Sequence, residues 1–276
     1  MKIKTVLLII FAYSLVKFWS FYSEGKNLNK LTFFDIGQGD AILISSKDRG
    51  KMLIDGGPDY KLSTLLTDEF IYNNCALDYV LLTHPHADHL KGLTRVVNNC
   101  KIDTVLFNKV TYDSKLYKDF VRKFIDKDYL GVSTRDIYKL GQFNLHIFWP
   151  DKSFLTNTAA IKNVNNVSIV LLLDYGKFEA LFTGDLEKEY LAKLDYAKMQ
   201  ELIQGDLEVL KVPHHGSIDS LDKNLYINLH PKICVISVGY NNKYGHPDKA
   251  VIDYLEKIKC EIKRTDLEGT IEILMD

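Results

Sequence analysis

Cysteine, proline and long apolar runs are all scarce in this chain, and neither sign of charge is in excess. Its 276 residues include 4 cysteines and 6 prolines, and 35 basic residues face 36 acidic ones for a formal net charge of -1. That balance excludes a global basic field of the kind that announces nucleic-acid binding. The segment from Lys101 to Lys139 is rich in Lys and Arg, but aspartates interleave with them, as on a solvated helix face. Cys75, Cys100, Cys234 and Cys260 are scattered, with no CxxC and no short metal-binding spacing, so they read as unpaired residues in or near the core. No repeat or low-complexity tract is present, and 46% hydrophobic with 26% charged residues is the composition of a globular chain.

The apolar run closest to a membrane segment is Thr5–Val16. Lys2 and Lys4 precede it, and Lys17, Phe18, Trp19, Phe21 and Tyr22 follow. A short basic stretch before an apolar one has the build of an export signal. The run is short for a full span, and no small-residue cleavage site follows it. Residues 1–22 are therefore expected to be a signal peptide or an N-terminal membrane anchor, leaving the protein secreted or anchored facing outward. The alternative is a first strand or helix of the domain. Residues 23–29 read as a polar linker and 30–276 as one domain.

From Lys30 onward, short apolar runs end repeatedly in glycine or polar clusters. "KLTFFDIGQGDAILISS" reads as two strands about a turn, and "KMLIDGG" as a third strand of an antiparallel meander. "LDYVLLTH" is continuously apolar, as in a strand buried on both faces. "VSIVLLLDYG" with "FEALFTGD" suggests a hairpin, followed by a helix over about Leu186–Leu202. The strand "LEVLKV" delivers "PHHGS", and "KICVISVGY" delivers "NNKYGHP". The expected architecture is one α/β domain with two strand-rich halves, two sheets packed face to face with helices outside.

The densest chemistry lies in "THPHADH". His84 and His86 are two apart at a strand end, so an extended backbone points both the same way, while Asp88 and His89 follow in the turn. Three imidazoles and a carboxylate within six residues suit Zn²⁺, Mn²⁺ or Fe, and two ions better than one. In this setting Asp88 is both a candidate ligand and a candidate catalytic residue.

"THPHADH" resembles the HxHxDH signature of the metallo-β-lactamase superfamily, which implies a four-layer αββα sandwich with metals at strand ends. "FFDIGQGDAILI", "LIDGG", "LFTGD", "LKVPHHGS" and "SVGYNNKYGHP", in that order, are similar to the metallo-hydrolase domain of ComEC-type DNA-uptake proteins. The likeness runs from about Lys30 to the C-terminus and lacks the multi-span membrane channel of full-length ComEC. It implies that His84 and His86 hold one divalent ion, that Asp88 and His89 hold the other, and that Asp185 bridges them. "HHGS" would supply a further ligand. Adjacent residues on an extended strand face opposite ways, so one of His214 and His215 would ligate and the other support or meet substrate.

Many members of the superfamily place a third first-site histidine between HxHxDH and the bridging aspartate. Only His146 lies there, and it reads as an ordinary strand residue. The likeness offers Asn165 and Ser168 instead, as site residues of a weakly held first ion that suits Mn²⁺. Asp35, Asp40 and Asp55 are expected to hold ligand imidazoles by their outer N–H. Gln38, Asn242 and Tyr244 are candidate substrate contacts. His246 is the candidate for binding a phosphate oxygen or protonating a leaving alkoxide.

The resemblance thus implies a two-metal phosphodiesterase or nuclease acting on DNA, with nucleic acid as its partner. One alternative keeps the metals and changes the substrate to a cell-envelope phosphodiester, as in phosphorylcholine esterases, which would need an aromatic cage. Another is a non-catalytic metal-binding module.

Overall fold

Two seven-stranded sheets form because almost every strand is apolar on both faces, and only a layer between sheets and helices can bury such strands. The structure is a computed structural model and describes residues 28–70, 75–124, 129–156, 161 and 163–275, together with Phe11, Tyr13 and Ser14. Those three apart, the expected leader over 1–22 and the linker as far as residue 27 lie outside the described residues. Among the described residues no helix is long and apolar enough to cross a membrane.

The first sheet is built from β1 (Lys30–Phe33), β2 (Ile42–Ser45), β3 (Lys51–Ile54), β4 (Ala76–Leu81), β5 (Lys101–Leu106) and β6 (Tyr129–Leu130). The second holds β7 (Ile137–Leu140), β8 (Phe143–Trp149), β9 (Val170–Tyr175), β10 (Phe178–Phe182), β11 (Val209–Lys211), β12 (Ile233–Ile236) and β13 (Glu261–Arg264). The last strand, β14 (Ile271–Leu274), returns to pair antiparallel with β1, giving the order β14-β1-β2-β3-β4-β5-β6 beside β13-β12-β11-β10-β9-β8-β7. Each sheet is antiparallel as far as β3 or β10 and parallel beyond it. The two halves therefore share one plan without sharing sequence.

Alternation along the strands distributes the core. Ile42 and Ile44 of β2 pack between the sheets with Leu171 and Leu173 of β9, while Leu43 turns outward to Leu62, Leu66 and Leu93 of the helical layer. Leu172 and Val170 likewise meet Leu191 and Met199 of the opposite helical layer. The four-layer αββα sandwich is the observed fold.

Two local expectations change. The helix foreseen over Leu186–Leu202 is two pieces, Lys188–Leu191 and Tyr196–Leu202, because the Asp195 carboxylate accepts from the Lys198 amide and starts a new helix there. After "HPHADH" the chain forms two short helices, Ala87–Leu90 and Leu93–Asn99. At the break, a methyl on Gly92 would sit 1.9 Å from the Gly56 carbonyl oxygen, so only glycine lets the "LIDGG" turn pack there.

The cysteines, expected to be unpaired, form two disulfides, Cys75–Cys100 and Cys234–Cys260. Each closes one strand–helix–strand crossover, of 25 and 26 residues, and ties neighbouring parallel strands together: β4 to β5 and β12 to β13. Loops of that size constrain the unfolded chain by about 3 kcal/mol each. Reduction is accordingly expected to lower the urea midpoint, with Cys75→Ala/Cys100→Ala and Cys234→Ala/Cys260→Ala each showing about half the loss. An unchanged midpoint after reduction would contradict the pairing.

Candidate metal centre

The candidate ligands gather because parallel strands of both sheets end at one place. Asp55 follows β3, His84 follows β4, Asp185 follows β10 and the two histidines of "HHGS" follow β11. The Ile169 amide donates to the Thr83 carbonyl at 3.1 Å and ties one sheet's strand end to the other.

Asp185 is the hub. Its Oδ2 lies 3.2 Å from His89 Nε2, 3.4 Å from His215 Nε2, and 3.8 Å from both His84 Nε2 and His214 Nε2. Asp88 Oδ2 is 3.8 Å from His215 Nε2, and His84 Nε2 is 3.1 Å from His86 Nδ1. Donors that share a Zn²⁺ at about 2.0–2.1 Å lie roughly 3.3 Å apart in a tetrahedral set. The spacings fit that requirement. Asp88, His89, Asp185 and His215 form one group that can hold an ion, with donor atoms within 4.8 Å of one another.

The hydrogen-bonding deficit tells the same way. His89 Nε2, His215 Nε2 and Asp185 Oδ1 are buried without a hydrogen-bond partner. A buried polar atom left unpaired costs on the order of 1–3 kcal/mol. A divalent cation would satisfy the two ring nitrogens and match the chemistry of the set.

The outer ring nitrogens are held as ligands require. His89 Nδ1 is 2.8 Å from Asp55 Oδ2, His215 Nδ1 is 2.8 Å from the Ser237 carbonyl, His84 Nδ1 is 3.1 Å from Thr83 Oγ1, and His214 Nδ1 is 3.4 Å from Ser220 Oγ. Asp55 is itself fixed by the Thr83 amide and hydroxyl, at 2.8 and 2.6 Å.

Burial, followed by repulsion from His89, holds the His84 pKa well below the ordinary imidazole value, and burial also lowers His86 and His214. Burial opposes charge on His89 as well, but Asp185 and then Asp55 outweigh it and keep His89 well above the usual value. Asp185, against the burial that would raise it, is held well below the carboxylate range by His215 and His89.

"HHGS" is not the extended segment expected. His214, His215 and Gly216 have φ of 49°, 55° and 81°, three left-handed residues in succession after Pro213. Left-handed backbone costs an ordinary residue roughly 1–2 kcal/mol. The turn lets both imidazoles approach Asp185, where a strand would have sent them to opposite faces.

Other expected site residues are placed elsewhere or differently. Asp35 lies away from the cluster, binding Lys61 Nζ at 3.1 Å and the Gly37 amide at 3.3 Å. Asp40 holds no imidazole by hydrogen bond. It is 3.6 Å from His215 Nδ1 and 3.9 Å from His89 Nδ1, and its close partner is Lys211 Nζ at 2.7 Å. Ser168 is wholly buried, and its hydroxyl accepts from the Asp185 backbone amide at 3.1 Å, which fixes the main chain that carries the carboxylate. Asn165 is buried beside His86, its Oδ1 without a hydrogen-bond partner. Asn242 is used within its own loop, bonding the Gly239 and His246 carbonyls and the Tyr244 and His246 amides. His146 sits in β8, 3.6 Å from Asp174.

A cleft of about 280 Å³ opens over the cluster, lined by Gln38, Asp88, His214, Tyr244 and His246 among others. Exposed Tyr244 stacks on His246 with the rings 11° apart, and Lys243 Nζ lies 5.0 Å from the Tyr244 ring centre. Burial, then the charge of His215, lowers the His246 pKa. The basic stretch after Lys101 is no unbroken cationic surface, since Lys101, Lys118 and Arg122 pair with Asp103, Asp113 and Asp119. Lys211 went unrecognised in the sequence, although a lone lysine in the apolar run before "PHHGS" was a visible signal.

Comparison with known proteins agrees with this geometry. The family model of the metallo-beta-lactamase superfamily matches residues 34–237. ComE operon protein 3 of Bacillus subtilis (strain 168) is 28% identical over 97% of this chain and 34% of its own length. Recombination protein 2 of Haemophilus influenzae is 26% identical over 90% of this chain and 29% of its own. The chain thus spans about a third of the length of these curated relatives. Among solved structures, CmlA of Streptomyces venezuelae, a diiron beta-hydroxylase, superposes with a TM-score of 0.56 at 15% identity, over 89% of this chain and 54% of that one. A fold shared with a hydroxylase does not by itself choose a reaction.

Because Asp185 and Asp55 raise the proton affinity of His89, a cation at its ring nitrogen competes with a proton, so binding is expected to release protons and to tighten as pH rises. Zn²⁺ titration against a competing chelator at two pH values checks this, with Asp55→Asn expected to weaken binding by about 10–100-fold. Binding that is independent of pH and unaltered in Asp55→Asn would contradict the arrangement.

Proposed function

The chain belongs to the metallo-β-lactamase superfamily, and from that premise we propose that it is a two-ion phosphodiesterase that cleaves nucleic acid outside the cytoplasm. The observation that carries this reading is the convergence of four imidazole nitrogens on one oxygen of Asp185. Two divalent ions held there would activate water and polarise a phosphoryl oxygen.

The chain's own groups supply the rest. His84 and His86, with His214 and Asn165 near them, would be the donors for one ion. Asp88, His89 and His215 would be those for the other, and Asp185 would serve both. His246, opening on the cleft, is placed to bond a phosphate oxygen or to pass a proton to a leaving oxygen. Gln38, Tyr244 and Lys243 stand at the rim, where an aromatic face and an ammonium suit a base and a phosphate.

The nucleic-acid substrate is supported by the likeness to the competence and recombination proteins. The leader-like N-terminus and two disulfides support an oxidising compartment. A chain of net charge -1 is expected to bind DNA through few phosphate contacts and with a shallow salt dependence.

The test is purified protein with Mn²⁺ or Zn²⁺ on end-labelled single- and double-stranded DNA. Progressive shortening is expected, slowed at least about a thousandfold in Asp185→Ala. Intact DNA beside rapid release of p-nitrophenol from a small phosphodiester would transfer the site to another phosphodiester, such as one of the cell envelope.

A further inference from the structure

Lys211 ends β11 and is fully buried, yet no step proposed above uses it. Its ammonium lies 2.7 Å from Asp40 Oδ2, 3.3 Å from the Gly184 carbonyl oxygen and 3.9 Å from Asp185 Oδ1. Burying an ammonium carries a large desolvation cost, and an apolar residue would fill an interior strand position more cheaply. The charge therefore needs a reason.

Asp40 alone does not supply one. The two imidazoles it approaches are already bonded through the same nitrogens, His89 to Asp55 and His215 to the Ser237 carbonyl. The Asp40–Lys211 pair bears on the cluster through Asp185 and the residue before it. Asp185 presents different oxygens to different partners, Oδ2 to the four imidazoles and Oδ1 to Lys211. Gly184, whose carbonyl Lys211 also holds, turns with φ of 52°.

Resting on the two-ion reading above, we propose that Lys211 is a positioning residue that makes Asp185 bridge through a single oxygen. Its ammonium draws Oδ1 away from the cluster and anchors the Gly184 carbonyl, so that Oδ2 alone is offered to both ions. A carboxylate bridging through one atom holds two cations closer together than one bridging through both. Asp40 keeps the ammonium aimed, since an unpaired buried charge would pull the strand end toward solvent.

The competing account is that Lys211 is only the counter-ion of Asp40. Lys211→Met/Asp40→Asn separates the two, because it removes both charges at once and leaves neither unpaired. It remains informative even if Lys211→Met alone does not fold. Wild type and double variant are loaded with Mn²⁺, and the readouts are metal-free melting temperature, equilibrium dialysis and electron paramagnetic resonance. The double variant is expected to melt near wild type without metal, yet to bind the second Mn²⁺ at least about tenfold more weakly or to lose the exchange-coupled signal. Retention of both the second-ion affinity and the coupled signal would reduce Lys211 to a counter-ion and overturn the proposal. A wild-type protein binding fewer than two Mn²⁺ would sink the two-ion reading itself, and this proposal with it.

Discussion

A single buried carboxylate oxygen, Asp185 Oδ2, sets the terms for the residues around it. It stands within 3.8 Å of four imidazole nitrogens, on a side chain that is itself buried. In such surroundings a carboxylate persists only if positive charge meets it. His89 and His215, whose pKa values Asp185 raises, lie against it together with Lys211, and the ring nitrogens around it are placed to take cations. The unusual backbone nearby follows from the same demand. Asp55, His214 and His215 all adopt positive φ, a conformation that surroundings must over-determine to maintain. Here the Ser237 carbonyl, the Thr83 hydroxyl and the strand ends behind them do so.

The centre also lies on the seam between the two halves of the chain. The first sheet contributes His84, His86, Asp88 and His89, and the second contributes Asp185, His214 and His215. Metal binding would therefore bind the halves to one another, and a site of this kind couples metal affinity to the docking of the sheets. The disulfides act on the same framework, each tying a strand that leads to the centre, β4 or β12, to its parallel neighbour. Gln38 reaches across the seam as well, accepting from the Gly239 amide at 3.3 Å.

Much of this was legible in residue order. "THPHADH" names its chemistry because its ligands form a dense local cluster at a strand end, Asp185 of "LFTGD" was legible only through the family resemblance, and the continuous apolar runs announce strands covered on both faces. Asp55 was recognisable as a carboxylate in "LIDGG", one of the motifs that carry the resemblance, of the kind that holds a ligand imidazole by its outer N–H. What escaped depends on contacts between distant segments. The disulfides join cysteines 25 and 26 residues apart, a spacing that means something only once each is seen to span one crossover. The left-handed turn at His214 and His215 is set by the packing of "PHHGS" against Gly184 and Pro247, not by local preference. Asp35, Ser168 and Asn242 sit in the right motifs, but their side chains meet Lys61, the Asp185 amide and their own loop. Motif membership places a backbone; only packing decides where a short polar side chain turns.

The central claim is that Asp185 carries two cations on one oxygen. Crystals grown with Zn²⁺ and measured on both sides of the zinc absorption edge test it most directly. The account predicts two anomalous peaks per chain, each about 2.0–2.2 Å from Asp185 Oδ2, one beside His84 and His86 and the other beside His89 and His215. A single peak, or two peaks of which only one touches Asp185, would contradict it.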